Sequence, residues 1–194
     1  TVSFPGKHED CFSKIDLLLF CCLSRQLKRY YAQNGFELEI FYNTLMDLQY
    51  KLDECKIVKG MCGTFVDTWF IGFFNLTRFA LGRLQFEIMP LGLDYVKDGY
   101  VLTKQHKVIN IHIPRTRTPI DPESCDAAFN QAKEFFAGQW SDPCTFHCSS
   151  WLLCSAHKEI LPSYTNVYKF MQRFMILTET VDREGKNLWR LFDT

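Results

Sequence analysis

Two residues in this chain have the chemistry to move a proton near neutral pH. His112 lies in the middle of an alternating apolar run, Val108-Ile109-Asn110-Ile111-His112-Ile113, and an imidazole with its ordinary pKa is poised to accept a proton from an amine. The same placement suits a hydrogen-bonded structural histidine. Glu87 closes the polar side of a second alternating run, Arg83/Gln85/Glu87, opposite Leu84/Phe86/Ile88. If that side borders a cleft, Glu87 is a base acting directly or through water. The pattern favours a solvent-facing side, with Arg83 as a partner for Glu87 on the same strand face.

Other groups are weaker candidates. Cys148, Ser149 and Ser150 offer nucleophiles, but no glycine turn of the nucleophile-elbow type frames them. Cys144, His147, Cys148 and Cys154 could suggest zinc. On a strand, however, His147 points away from the three cysteines, and no CxxC knuckle is present, so no metal site is assigned.

The elements that must position these groups follow from periodicity. Positions 8–33 read as an amphipathic helix with Phe12, Ile15, Leu19, Cys22, Leu23, Gln26 and Tyr30 as its stripe, ended by Asn34-Gly35. A second helix is expected over 36–58, with Leu38, Phe41, Leu45, Leu48, Leu52 and Cys55 inward. The apolar segment 66–76 fits a short buried helix or a strand equally. From Arg78 the pattern turns to strands, first through 79–88 and then 107–114. Asp121 is a good N-cap with Pro122 at the first helical position, and that helix should end near Gly138. A strand over 144–154 follows, then a helix capped by Ser163 or Thr165 and reaching Phe174. Two last strands, 175–181 and 187–192, should form a hairpin.

Taken in order, these elements make an α/β (α+β) chain with a mixed central sheet and two leading amphipathic helices. That order is similar to the GNAT superfamily of acyltransferases. The local wording is closer still: Gly82-Arg83-Leu84-Gln85-Phe86-Glu87, Ile111-His112-Ile113-Pro114, Cys148-Ser149-Ser150-Trp151-Leu152-Leu153, and Leu161-Pro162-Ser163 with Asn166 resemble a bacterial acyltransferase family with a GNAT-like C-terminal domain. The resemblance covers 69–174 well and the leading helices loosely. It implies one GNAT-like domain over 1–194, forming the C-terminal part of a longer protein and able to dock its own N-terminal domain.

The resemblance also implies a co-substrate, acetyl-CoA or a longer acyl-CoA, entering between strands 108–113 and 145–153. Ile111 and Ile113 would line it, and a strand N–H would polarise its carbonyl. A small-molecule or peptide amine would attack directly, with His112 or Glu87 taking the proton. Asn166 would meet the pantetheine arm, unless it serves only to cap its helix. Two departures stand out. The loop expected to cradle the pyrophosphate, Pro114-Arg115-Thr116-Arg117-Thr118-Pro119-Ile120, has no glycine, so Arg115 and Arg117 would hold phosphates by charge. Two turns after Asn166, where many such enzymes keep a Tyr acid, stand Gln172 and Arg173.

Composition narrows the classes. The 194 residues carry 22 basic and 22 acidic side chains, so bulk charge favours no nucleic acid. The apolar run 15–23 is too short for a bilayer and lacks signal-peptide flanks, which leads to a cytoplasmic, non-membrane expectation. The nine cysteines are odd in number and sit mostly in apolar patterns, as reduced core thiols do. Eighteen phenylalanines suggest a thick aromatic core or an apolar cleft. Two alternatives stay open: a catalytically inactive GNAT-like interaction module, and a lipid- or fatty-acyl-handling domain.

Overall fold

The computed structural model describes residues 8–97 and 99–180, with side chains from residue 14 onward. Its backbone contacts divide the described residues into two compact units, 8–77 and 78–180. The division falls where the sequence pattern changes from helical to alternating.

In the first unit, α1 (His8–Gln33) and α2 (Leu38–Lys59) form a helical hairpin. The Asn34-Gly35 turn closes it, with Gly35 at φ +72° and the Phe36 N–H donating to the Tyr31 carbonyl at 2.9 Å. The buried stripe of α1 is not the one expected. Ile15, Leu19, Leu23 and Tyr30 are exposed, whereas Leu27 and Tyr31 are buried and Phe20 stacks on Phe70 and Phe74; the side chain of Phe12 lies outside the described residues. A 26-residue helix rich in leucine on several sides has more than one apolar stripe, and packing selects between them.

The same shift occurs in α2. Ile40, Phe41, Thr44, Asp47, Lys51, Glu54 and Cys55 are buried, and Leu38 is exposed. Charges tolerate this side because they are paired: Lys51 Nζ lies 2.8 Å from Glu54 Oε2, and Trp69 Nε1–H donates to Asp47 Oδ2 at 2.7 Å. The ambiguous segment 66–76 is helical, a 3-10 turn Asp67–Phe70 running into α3 (Ile71–Phe74). No helix among the described residues is long and apolar enough to cross a membrane.

The second unit is built on a mixed four-stranded sheet. Strands β1 (Arg78–Leu81) and β2 (Leu84–Pro90) form a hairpin. A small separate hairpin, β3 (Tyr95–Lys97) with β4 (Tyr100–Leu102), follows and was not foreseen from sequence. Strand β5 (Lys107–His112) returns antiparallel to β2, and β6 (Phe146–Cys148) joins β5 in parallel, giving the order β1-β2-β5-β6. Between them runs α4 (Pro122–Phe135), capped by Asp121, whose Oδ1 accepts from the Ser124 N–H at 2.9 Å.

Alternation makes this sheet two-faced. Phe79, Leu81, Leu84, Phe86, Ile109, Ile111 and Phe146 share one face by register. The rings of α4 fill it: Phe135 lies 4.7 Å from Phe79 between centroids, and Phe129 packs on both Phe86 and Phe146. The other face is polar and carries the site described below.

Two expectations for the C-terminal half are corrected. The strand expected over 144–154 is only the three residues of β6. Ser150 breaks it, its hydroxyl accepting from the Leu152 N–H at 3.3 Å to start a 3-10 turn, Trp151–Leu153. After α5 (His157–Ile160) and α6 (Asn166–Met171), residues 175–180 form no strand, and the expected strand 187–192 lies outside the described residues.

The β1–β2 turn lies close against α4. Gly82 has φ +62°, and a Cβ placed there would lie 3.4 Å from the Ala128 Cβ. Gly82→Ala therefore meets backbone strain and crowding together. It should destabilise the protein by about 1–2 kcal/mol, measured as a lowered midpoint in urea without a change in slope. An unchanged midpoint would show that the turn does not anchor the helix.

Candidate functional site

The polar face gathers one residue or more from every strand of the sheet. Register places Gln85 opposite His112, Glu87 opposite Asn110 and Arg78, and Asn110 beside His147. Residues two apart on one strand share a face, so Gln85 and Glu87, and Asn110 and His112, all project to the same side.

His112 and Glu87, the two bases expected from sequence, are brought together. His112 Nε2 lies 2.6 Å from Glu87 Oε1, with side chains 19% and 16% exposed. The expectation that Glu87 faces solvent is therefore wrong: neighbouring Gln85 is 1% exposed, and Glu87 itself is largely shielded. The expected partner is also wrong. Arg78, not Arg83, pairs with Glu87, its guanidinium 3.2 and 3.1 Å from the two carboxylate oxygens. Asn110 Nδ2 is 3.4 Å from Glu87 Oε1 and 3.1 Å from His112 Nε2, and Asn110 Oδ1 lies 2.8 Å from His147 Nδ1.

The charge states follow. Burial by itself pushes the Glu87 carboxyl up, but the hydrogen bond from His112 and the Arg78 charge overcome it and bring the pKa down to about 2. Glu87 is thus ionised and acceptor-only at neutral pH, so His112 Nε2 must carry the hydrogen between them. In the neutral tautomer that leaves Nδ1 as the basic nitrogen of His112, the logic of an Asp–His pair with the ring nitrogens exchanged. His147 is shifted down, first by burial and then by repulsion from His112, which favours its neutral form. On the opposite face, burial pushes the Cys148 thiol up to about 12, which leaves no thiolate at neutral pH.

The remaining candidates lie around this cluster. Ile111 is buried on the α4 side, and its backbone belongs to the parallel β5–β6 ladder, whose pairing ends at Ile111 with Cys148; Ile113 follows, half-buried, past the end of β5. Arg115 and Arg117 are exposed on the loop between β5 and α4. That loop takes its shape from Arg83, whose Nε donates to the Pro119 carbonyl at 3.0 Å and whose Nη1 donates to that of Pro114 at 3.2 Å. Asn166 is the first residue of α6, but Thr165 is the cap, its hydroxyl accepting from the Tyr168 N–H at 3.4 Å.

Arg78, Asn110 and His147 were missed as parts of one site. Only Asn110 had a local signal, two residues before His112 on the same strand face.

This mixed sheet, with a helix crossing from β5 to a parallel β6, is the arrangement of the GNAT type of fold. Residues 78–194 match the family described as "GNAT-like C-terminal domain", and residues 5–76 match "N-acyltransferase N-terminal domain". The chain belongs to the GNAT-like C-terminal domain family, with its leading helices in the N-acyltransferase N-terminal domain match.

Among solved structures, it is similar to an acyltransferase in complex with decanoyl-CoA, at TM-score 0.77 and 20% identity over 100% of this chain and 60% of that one. It is likewise similar to an acyltransferase in complex with decanoyl-CoA and teicoplanin, at TM-score 0.76 and 22% identity over 94% of this chain and 55% of that one. A third, an acyltransferase mutant holding octanoyl-CoA, matches at TM-score 0.74 and 21% identity over 93% of this chain and 54% of that one. The chain thus spans between 54% and 60% of the length of these structures, and the likeness is one of fold. A comparison with curated proteins finds no match.

Because the Glu87 pKa is depressed in the folded state, its contribution to stability is present above its ordinary value of 4.5 and is lost as pH falls toward about 2. Glu87→Gln should therefore be less stable than the parent at pH 6. The gap in thermal midpoint should narrow as pH drops from 4.5 towards 2, and a gap independent of pH would contradict the ion pair.

Proposed function

We propose that this chain carries the acyl-transfer half of an N-acyltransferase that moves a medium-chain acyl group from coenzyme A to an amine. The observation that carries the reading is the 2.6 Å contact between His112 and the ionised Glu87 on a covered polar face, beside the point where β5 and β6 stop pairing. Membership of the family and the acyl-CoA complexes of its structural neighbours support the choice of co-substrate. The neighbour that holds teicoplanin supports a large acceptor, a small-molecule or peptide amine in our reading.

In this reading the acyl-CoA lies between β5 and the 145–153 segment, with Ile111 and Ile113 lining the acyl end. Arg115 and Arg117 meet the pyrophosphate through charge, in place of the backbone N–H groups of a glycine loop. Asn166 meets the pantetheine arm. The amine nitrogen attacks the thioester carbonyl, and a strand N–H stabilises the oxyanion. His112 Nδ1 takes the proton released by the new C–N bond, with Glu87 stabilising the imidazolium. As the C–S bond breaks, that proton passes to the departing thiolate, which removes the need for a tyrosine in the last helix. The protonated Cys148 thiol supports direct attack over an acyl-enzyme.

A second reading, a non-catalytic binding module, is favoured by one feature: the 114–120 loop lacks glycine and begins and nearly ends in proline.

Calorimetric titration with acetyl-CoA and decanoyl-CoA separates the two. Saturable binding that weakens in Arg115→Ala or Arg117→Ala is expected, and folded protein that binds neither ligand would move the assignment to the module. With decanoyl-CoA and a panel of primary amines, thiol release should fall about a hundredfold in His112→Ala while acyl-CoA affinity holds. Unchanged turnover in the His112→Ala/Glu87→Gln double variant would overturn the assigned roles.

A further inference from the structure

His147 stands apart from the proton-accepting pair, yet it is joined to it through one side chain. Asn110, 5% exposed, has its two amide ends engaged in opposite directions: Oδ1 is 2.8 Å from His147 Nδ1, and Nδ2 is 3.4 Å from Glu87 Oε1 and 3.1 Å from His112 Nε2. An amide can be turned end for end with little change in shape, so something must set its direction. Turned over, it would direct its carbonyl oxygen at an ionised carboxylate and its NH2 group at a histidine nitrogen. As observed, the NH2 end meets the ionised Glu87 carboxylate and the carbonyl end meets His147 Nδ1, and Asn110 Oδ1 can only accept, so His147 Nδ1 carries the hydrogen.

We infer that His147 is a positioning residue for the Glu87–His112 pair. Its Nδ1–H, held on Asn110 Oδ1, locks the amide so that a donor and not an acceptor faces Glu87 and His112. The inference deepens the function proposed above and rests on it for the role of the pair in proton transfer. The lock has a chemical consequence. With the NH2 end toward His112, no extra acceptor stabilises the imidazolium, so a proton taken there is more readily returned. With the carbonyl end there, Asn110 Oδ1 would accept from His112 Nε2–H beside Glu87, and the imidazolium would hold its proton too tightly.

Charged and titratable groups face His112 from each of the three other strands of the sheet: Arg78 from β1, Glu87 from β2 and His147 from β6. Charge repulsion from His147 is thus a rival explanation for any effect of removing it, and the choice of variants must separate charge from hydrogen bonding. His147→Phe keeps the ring and removes both nitrogens. His147→Asn restores an N–H at the Nδ1 position with no possibility of charge.

The test is the titration of His112 followed by its imidazole nitrogen resonances in the full chain, which needs neither acyl-CoA nor acceptor. In His147→Phe the midpoint of His112 should rise by roughly one unit, and in His147→Asn it should return to the parent value. Asn110→Ala removes the intermediary and leaves His147, so it serves if His147→Phe does not fold. There His147→Phe added as a second change should produce no further shift.

A parent-like midpoint in His147→Phe, or an equal rise in His147→Phe and His147→Asn, would overturn the lock. Because the readout sits on the imidazole, a protein that shows the shift but no turnover with decanoyl-CoA would sink the acyltransferase reading and leave the lock standing. Where turnover is present, kcat should fall in His147→Phe and recover in His147→Asn, with the KM for decanoyl-CoA steady in both.

Discussion

The register between β2 and β5 is the constraint on which the second unit depends. Pairing Glu87 with Asn110 and Gln85 with His112 sends five aromatic or branched side chains of these two strands to one side and the ionisable groups to the other. A slip of one residue would exchange the faces of one strand. Glu87 would then meet the rings of α4, and Phe86 would lose Phe129 and Phe146. Core and site are therefore not separate inventions of this fold. The packing that holds α4 against the sheet is what holds a carboxylate and an imidazole 2.6 Å apart on the other side.

Concentrating polar groups on a covered face is costly unless their charges cancel. Here they do. Arg78 and Glu87 are oppositely charged, and His147 is kept neutral by its burial and by His112. Protonation of Glu87 is opposed by Arg78 and by the His112 hydrogen bond, and burial and repulsion from His112 oppose protonation of His147.

Much of this was legible in the sequence, and the failures share a cause. The extent of α1, the Asp121 cap and the alternation Leu84/Phe86/Ile88 are local signals, and the structure follows them. Alternation also tells which residues share a face, but not whether that face is covered. Glu87 reads as solvent-facing because a half-polar strand ordinarily is, yet Gln85 beside it is buried. Likewise a helix with leucine at many positions shows several stripes, and only the partner helix decides that Leu27 and Tyr31 go inward. Arg78, Asn110 and His147 come from three strands and converge only through pairing, for which no spacing in the chain stands as a sign. The short β6 is another tertiary outcome, since Ser150 could extend a strand as readily as cap the turn that ends it.

The segment Gly82-Arg83-Leu84-Gln85-Phe86-Glu87 shows why such wording can mark a family when no single residue in it is a catalytic signature. Gly82 has the positive φ that the two-residue turn requires and lets α4 approach to the Ala128 Cβ. Arg83 reaches forward to the carbonyls of Pro114 and Pro119 and bridges the two ends of a loop that has no glycine of its own. Leu84 and Phe86 fill the core, while Gln85 and Glu87 supply the polar face. Six consecutive residues thus join the turn, the helix, the loop and the site. A loop bordered by proline and held by an arginine fork is stiffer than a glycine loop. That stiffness suits the role proposed above for Arg115 and Arg117, in which two exposed arginines would meet a phosphate by fixed charge rather than by bare backbone.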